Sequence, residues 1–163
     1  AMEMYRQAPE RISRLALLDT TARRDTKLKA EGRVNAIQAC EKGKFENVIN
    51  GMISILLHPA HQKGPLLEFV PRMAGRVGSE AFVRRHRAMQ SRKDSRDLIA
   101  SSQIPVRAIC GRQDAMCSLE EHEEIADLAR YGRLSIIEEC GHMTIFERPH
   151  AATALLRDWL IYD

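Results

Sequence analysis

The hydrophobic and polar positions follow two different patterns along the 163 residues of the chain. Short apolar runs bounded by polar residues occur near the beginning and again in the last third, and such runs are typical of buried parallel strands. The segment between them shows only the three-to-four-residue spacing of amphipathic helices. The pattern predicts strands at Leu15–Leu18, Val106–Cys110 and Leu134–Ile137.

The middle of the chain is predicted to be entirely helical. Four helices are expected between about residues 23 and 96, divided at Gly43, at Pro59 and at the Gly75–Gly78 region. Ser79 is a candidate N-cap for the fourth of them, because its hydroxyl could accept a hydrogen bond from the first turn. This segment therefore interrupts the strand-containing parts of the chain.

The last third alternates strand and helix. Ser118 and Glu121 have the spacing of a capping box, which predicts a helix between the second and third strands. Pro149 lies near the start of a final amphipathic helix. Strands that alternate with helices imply right-handed parallel crossovers, so the expected architecture is α/β.

Composition narrows the class of protein. Apolar residues make up 44% and charged residues 29%, which excludes a collagen-like, disulfide-dense or largely disordered chain. No apolar run approaches the ~20 residues of a membrane-spanning helix. The four cysteines form no C-x-x-C pair, so we expect free thiols and a cytoplasmic location. His58 and His61 have a spacing used by metal ligands, but Pro59 opposes a regular helix there, and we expect no metal or cofactor.

Residues suited to catalysis follow the predicted strands. In open parallel sheets, functional side chains gather on loops at the carboxyl ends of strands. Here those loops contain Asp19, Gly111–Asp114 and Cys140–Met143. A carboxylate and a histidine on neighbouring loops can meet. The carboxylate then fixes the imidazole tautomer, which leaves the second nitrogen free as a general base.

The order of these residues resembles the C-terminal part of the α/β-hydrolase fold family. The pattern is strand-G-x-x-D, helix, strand-x-x-x-G-H-x-x-x-x-E-x-P and helix, and APERISRLALLDT is similar to the sixth strand of the family and its approach. The resemblance implies that Asp114 is the acid and His142 the histidine of a catalytic triad. It predicts an α/β slice of three parallel strands, with core residues 1–22 and 97–163 and a helical cap at 23–96.

One element of the family is missing: the nucleophile elbow G-x-S-x-G does not occur in the sequence. The resemblance places the nucleophile about half a dozen residues before Ala1, so this chain alone is predicted to be inactive. It implies a serine hydrolase that cleaves a carboxylic ester or similar acyl bond without a cofactor. Carbon–carbon bond hydrolases and Asp-nucleophile dehalogenases or epoxide hydrolases of the same fold are alternatives. A non-catalytic interaction module is an alternative of another class.

Two acidic residues have competing interpretations. Some members of the family place their acid after the strand that here ends at Asp19, but Asp114 is favoured because it occupies the G-x-x-D context. Glu147, which precedes Pro149, is expected to help begin the last helix and to take no part in acid–base chemistry.

Charge and the incomplete sheet suggest partners. Between residues 72 and 93, seven arginines and lysines face a single glutamate, so a basic cap could attract an anionic ester-like substrate. Nucleic acid is not expected, because few aromatic residues interleave with these basic ones, and no membrane partner is expected.

The strand Leu15–Leu18 lacks its usual neighbour. An unpaired strand edge is a template for pairing, so we expect either further polypeptide there or self-association.

Overall fold

The structure is a computed structural model that describes all 163 residues, and its centre is a three-stranded parallel sheet. The strands lie in the order β1-β2-β3. They are β1 (Leu15–Leu18), β2 (Val106–Gly111) and β3 (Gly132–Ile137). The three predicted strands and their side-by-side arrangement are confirmed. The third begins two residues earlier than predicted because the backbone of Gly132 already pairs with Val106.

Nine α-helices accompany the sheet. Two three-residue 3₁₀ helices, Pro9–Arg11 and Pro59–His61, separate some of them. The helices are α1 (Met2–Gln7), α2 (Lys27–Glu41), α3 (Phe45–Leu56), α4 (Pro65–Val77), α5 (Ser79–Gln90), α6 (Arg96–Ala100), α7 (Leu119–Leu128), α8 (Thr144–Glu147) and α9 (Pro149–Tyr162). None of them is both long enough and apolar enough to cross a lipid bilayer.

The chain forms two compact units, and the first contains the sheet. It comprises Ala1–Arg23, Ile55–His58 and Asp94–Asp163. Alternate side chains of the strands point to opposite faces of the sheet. One face packs against α1, α6 and α7, and the other packs against α9. The hydrophobic cluster on the first face includes Tyr5, Leu15, Leu17, Ile99, Val106, Ala108 and Ile125. The cluster on the second face includes Ile109, Ile137, Cys140 and Ala152.

A buried ion-pair network joins the middle strand to the last helix. Arg107 lies on β2 and its side chain is only 4% exposed. Its guanidinium donates to both carboxylate oxygens of Asp163 at 2.6 and 2.9 Å, and to Asp158 at 2.6 Å. Burial opposes the charge of Arg107, yet these carboxylates raise its pKa further above the usual value. The end of α9 is therefore fixed to the sheet by charge as well as by apolar contacts.

The second unit is helical and comprises Arg24–Ser54 and Pro59–Lys93. Its core contains Ile37, Cys40 and Val83, contributed by α2 and α5. The predicted helices of this region are present, but the predicted N-cap is wrong. Gly78 caps α5 with a φ of 81°, a left-handed conformation that favours glycine, and Ser79 is the first helical residue.

Three features of the first unit were not predicted. The segment Ile55–His58 clusters with the sheet, although the sequence pattern placed it within the helical insertion. The short helices α6 and α8 were also missed. Five and four residues are too few to show a helical period, and such helices depend on tertiary contacts.

Candidate active site

The two residues singled out from the sequence meet at the carboxyl end of the sheet. Asp114 follows β2, and His142 follows the adjacent strand β3. The Nδ1 atom of His142 lies 2.9 Å from the Oδ2 atom of Asp114, although the residues are 28 positions apart. The Asp114 side chain is fully buried and that of His142 is 18% exposed. The expected contact is therefore present.

The carboxylate of Asp114 is surrounded by donors. Its Oδ1 atom accepts hydrogen bonds from the backbone N–H groups of Met116 at 2.8 Å and Cys117 at 2.9 Å. Burial favours the neutral acid, but the hydrogen bond and charge of His142, together with these backbone donors, lower the pKa of Asp114 below its ordinary value of 3.8. Asp114 is thus an ionised hydrogen-bond acceptor at neutral pH.

This acceptor determines the form of His142. An ionised carboxylate can only accept, so the Nδ1 atom of the neutral imidazole must carry the proton. The Nε2 atom then holds a lone pair, and it makes no hydrogen bond within the chain. The geometry leaves one imidazole nitrogen free to take a proton from a nearby group.

The turn that carries His142 is held from one side by Glu147, a buried residue. Its Oε1 atom accepts hydrogen bonds from the backbone of Gly141 at 2.9 Å and Met143 at 3.2 Å, and its Oε2 atom accepts one from His58 at 2.8 Å. The backbone N–H of His142 itself donates to the carbonyl of Leu56 at 2.9 Å. Glu147 therefore clamps this turn, and the expectation that it helps to begin α9 is wrong, because no side chain caps that helix.

Close packing explains the glycine of the G-H pair. A Cβ atom on Gly141 would lie 2.6 Å from the backbone nitrogen of His58 and 2.9 Å from Glu147 Oε1. No real side chain approaches backbone so closely, so only glycine fits between the turn and the segment Leu56–His58.

The alternative acid, Asp19, lies near His142 but bonds elsewhere. Its Oδ2 atom accepts hydrogen bonds from the backbone nitrogen of Thr144 at 3.1 Å and from its hydroxyl at 2.8 Å. Burial raises the pKa of Asp19 to about 7, against the opposing effects of Thr144 and His142. The imidazole of His142 is hydrogen-bonded to Asp114 and not to Asp19.

Other reactive side chains of this unit serve packing. His122, fully buried on α7, accepts from the Thr20 backbone at Nε2 and contacts the Ser118 carbonyl through Nδ1, both within 3.0 Å. Burial raises the pKa of the Cys110 and Cys140 thiols to about 12, so neither is a thiolate at neutral pH. No group of three His, Cys, Asp or Glu side chains could hold a metal ion.

Solved structures share the fold of this chain. A thermophilic esterase from Thermogutta terrifontis, with malate bound, has a TM-score of 0.91 and 25% sequence identity over 98% of this chain. An enol-lactonase from Burkholderia xenovorans LB400 has a TM-score of 0.86 at 18% identity, which shows the fold alone. The chain has the α/β-hydrolase fold. It corresponds to the C-terminal part of that fold.

Curated α/β-hydrolases match a shorter part of the chain. Monoacylglycerol lipase abhd6-A from Xenopus laevis is 34% identical over 56 residues, which are 34% of this chain and 17% of that protein. Protein ABHD8 from Mus musculus is 30% identical over 60 residues, or 14% of its length. No family model matches the chain. This chain spans 59% of the length of the Thermogutta esterase.

Proposed function

We propose that the chain is part of a serine hydrolase that cleaves a carboxylic ester or a similar acyl bond. The observation that carries the proposal is the pair formed by Asp114 and His142, with a 2.9 Å contact and a free imidazole nitrogen. An ionised carboxylate that orients a neutral imidazole is the arrangement that activates a serine hydroxyl.

In the proposed reaction, a serine from polypeptide outside this chain attacks the acyl carbon. His142 takes the serine proton at Nε2 and later returns it to the leaving alcohol. Asp114 holds the imidazole in the required tautomer and stabilises the imidazolium while it carries the proton. Water then attacks the acyl-enzyme by the same steps and releases the acid.

An ester-like substrate is favoured by the names of the similar proteins. The Thermogutta protein is an esterase, and the Xenopus protein is a monoacylglycerol lipase. Both names describe cleavage of acyl–oxygen bonds, which the proposed triad performs without a cofactor. The alternatives of the fold, including carbon–carbon bond cleavage, differ mainly in the nucleophile and the substrate pocket.

An anionic substrate is proposed from the charge of the helical unit. Arg72, Arg76, Arg84, Arg85 and Arg87 are exposed. Arg84 pairs with Glu80 and Arg87 with Glu41, but the segment keeps an excess of positive charge, and such an excess raises the local concentration of anions. We further propose that additional polypeptide, or a second copy, covers the open edge of β1, because an unpaired apolar edge promotes association.

The test is an assay of the gene product that includes any residues encoded upstream of Ala1. We expect hydrolysis of p-nitrophenyl acetate and labelling of one serine by a fluorophosphonate. His142→Ala and Asp114→Asn should lower kcat by about 10⁴-fold or more. The exposed His150→Ala serves as a control and should leave kcat unchanged.

The same assay on the 163-residue chain alone should show no saturable hydrolysis. Activity of the longer polypeptide that survives His142→Ala would refute the proposed general base. Labelling of an aspartate by a haloalkane probe, without any labelled serine, would favour the dehalogenase alternative. A saturable activity of the short chain that His142→Ala abolishes would mean that this chain supplies its own nucleophile.

A further inference from the structure

The end of β1 makes a second attachment to the turn that carries His142. A single carboxylate oxygen, Oδ2 of Asp19, accepts hydrogen bonds from both the backbone nitrogen and the hydroxyl of Thr144. Thr144 is fully buried and lies two residues after His142. Asp19 therefore fixes the chain immediately beyond the imidazole, on the side opposite in sequence to Gly141.

Asp19 occupies this position at a cost to stability. Its φ of 49° is in the left-handed region, which non-glycine residues seldom adopt. Its Oδ1 atom is buried without a hydrogen-bond partner, and such atoms are rare in folded proteins. Unfavourable features of this kind persist where a functional geometry requires them.

We propose that Asp19 is a positioning residue for His142, which acts by anchoring Thr144 to the end of β1. Glu147 holds Gly141 and Met143 on either side of His142, and the Leu56 carbonyl holds His142 itself. Asp19 holds Thr144, the next residue along the chain. With both ends fixed, the imidazole stays directed at Asp114. The catalytic consequence rests on the proposed function, but the positioning itself does not.

The charge of Asp19 gives the inference a second, independent readout. The titratable groups that act on it are His142, Asp114 and the thiols of Cys110 and Cys140. Because burial raises the folded-state pKa of Asp19 to about 7 from 3.8, its contribution to stability is complete at low pH and is lost as pH rises through 7. A variant without this charge should lack that step.

The test uses the downfield proton resonance of His142 Nδ1–H in the 163-residue chain, assigned by its loss in Asp114→Asn. In Asp19→Ala and Thr144→Val we expect the resonance to disappear or to exchange with water about tenfold faster, because a buried hydrogen bond is lost. Asp19→Asn keeps an acceptor for Thr144, so it should retain the resonance and lose only the fall in stability between pH 3.8 and about 7.

The control is Ser102→Ala, which removes another buried hydroxyl, bonded to the Ile99 carbonyl at 2.7 Å. It should lower the unfolding midpoint and leave the His142 resonance unchanged. An unchanged resonance in both Asp19→Ala and Thr144→Val would overturn the proposal. Loss of the resonance to the same extent in Asp19→Asn and Asp19→Ala would also overturn it. If Asp19→Ala does not fold, Thr144→Val decides. Failure of the esterase assay would leave this result standing.

Discussion

Replacement of Glu147 tests whether the turn that carries His142 is held by a buried carboxylate. Three backbone N–H groups donate to the two oxygens of Glu147, at 2.8 to 3.2 Å. In Glu147→Gln one oxygen becomes an NH₂ group. Whichever way the amide is turned, at least one N–H then faces another donor.

The magnitude follows from the number of bonds that are lost. A hydrogen bond to a charged group contributes about 1.5–3 kcal/mol, and a buried donor left unpaired costs a similar amount. We therefore expect Glu147→Gln to lower the free energy of unfolding by about 2–4 kcal/mol, with a larger loss in Glu147→Ala. The midpoint of thermal unfolding should fall by about 5–12 °C.

Urea unfolding followed by the fluorescence of Trp159, the single tryptophan, measures the loss. In Glu147→Gln, amide hydrogen exchange should become faster at the backbone N–H groups of Gly141, Met143 and His58 than it is in the unsubstituted chain. Exchange elsewhere should change less. Glu139→Gln is the matched control, because Glu139 is exposed and pairs with Arg148 at the surface, where about 0–1 kcal/mol is at stake. If Glu147→Gln and Glu139→Gln lower the free energy of unfolding by the same amount, the buried carboxylate of Glu147 does not stabilise the turn more than a surface ion pair would.

Three further predictions concern the same unit. Arg107→Met should lower the free energy of unfolding by about 3–5 kcal/mol, because it leaves the buried Asp163 without its main partner. The double variant Arg107→Met/Asp163→Asn should recover part of that loss, as measured by urea titration. Gly141→Ala should cost about 1–3 kcal/mol through overpacking, whereas Gly32→Ala, in open space on α2, should not destabilise. Burial lowers the pKa of His122 below 6.5, so the contribution of this residue to stability is full above pH 6.5 and is lost as the pH falls below that value. In His122→Gln, the free energy of unfolding should therefore depend less on pH in this acidic range.

The strands were predictable because each one is encoded locally. Leu15 and Leu17, for example, belong to an apolar run with polar ends, and both are buried in the sheet. The meeting of Asp114 and His142 was predictable for a related reason. Parallel strands bring their carboxyl ends to one edge, so residues that directly follow adjacent strands must be neighbours.

The supports of His142 were not predictable in this way. Glu147 contacts Gly141 within its own turn, but its third partner is His58, 89 residues away along the chain. Thr144 and Asp19 are separated by 125 residues. No local pattern in the sequence marks such pairs. The only signals were that Glu147 is the E of the G-H-x-x-x-x-E-x-P pattern and that Asp19 directly follows a strand.

The choice between the two candidate acids follows from their hydrogen bonds. Asp114 receives two backbone N–H groups on one oxygen and the imidazole on the other, so all its bonds favour the ionised form. Asp19 has one oxygen buried without a partner, and its pKa rises to about 7. A carboxyl group that is half protonated at neutral pH is a poor acceptor for an imidazolium. Two aspartates at the same sheet edge are thus suited to different tasks: Asp114 stabilises charge on His142, and Asp19 holds the chain that positions it.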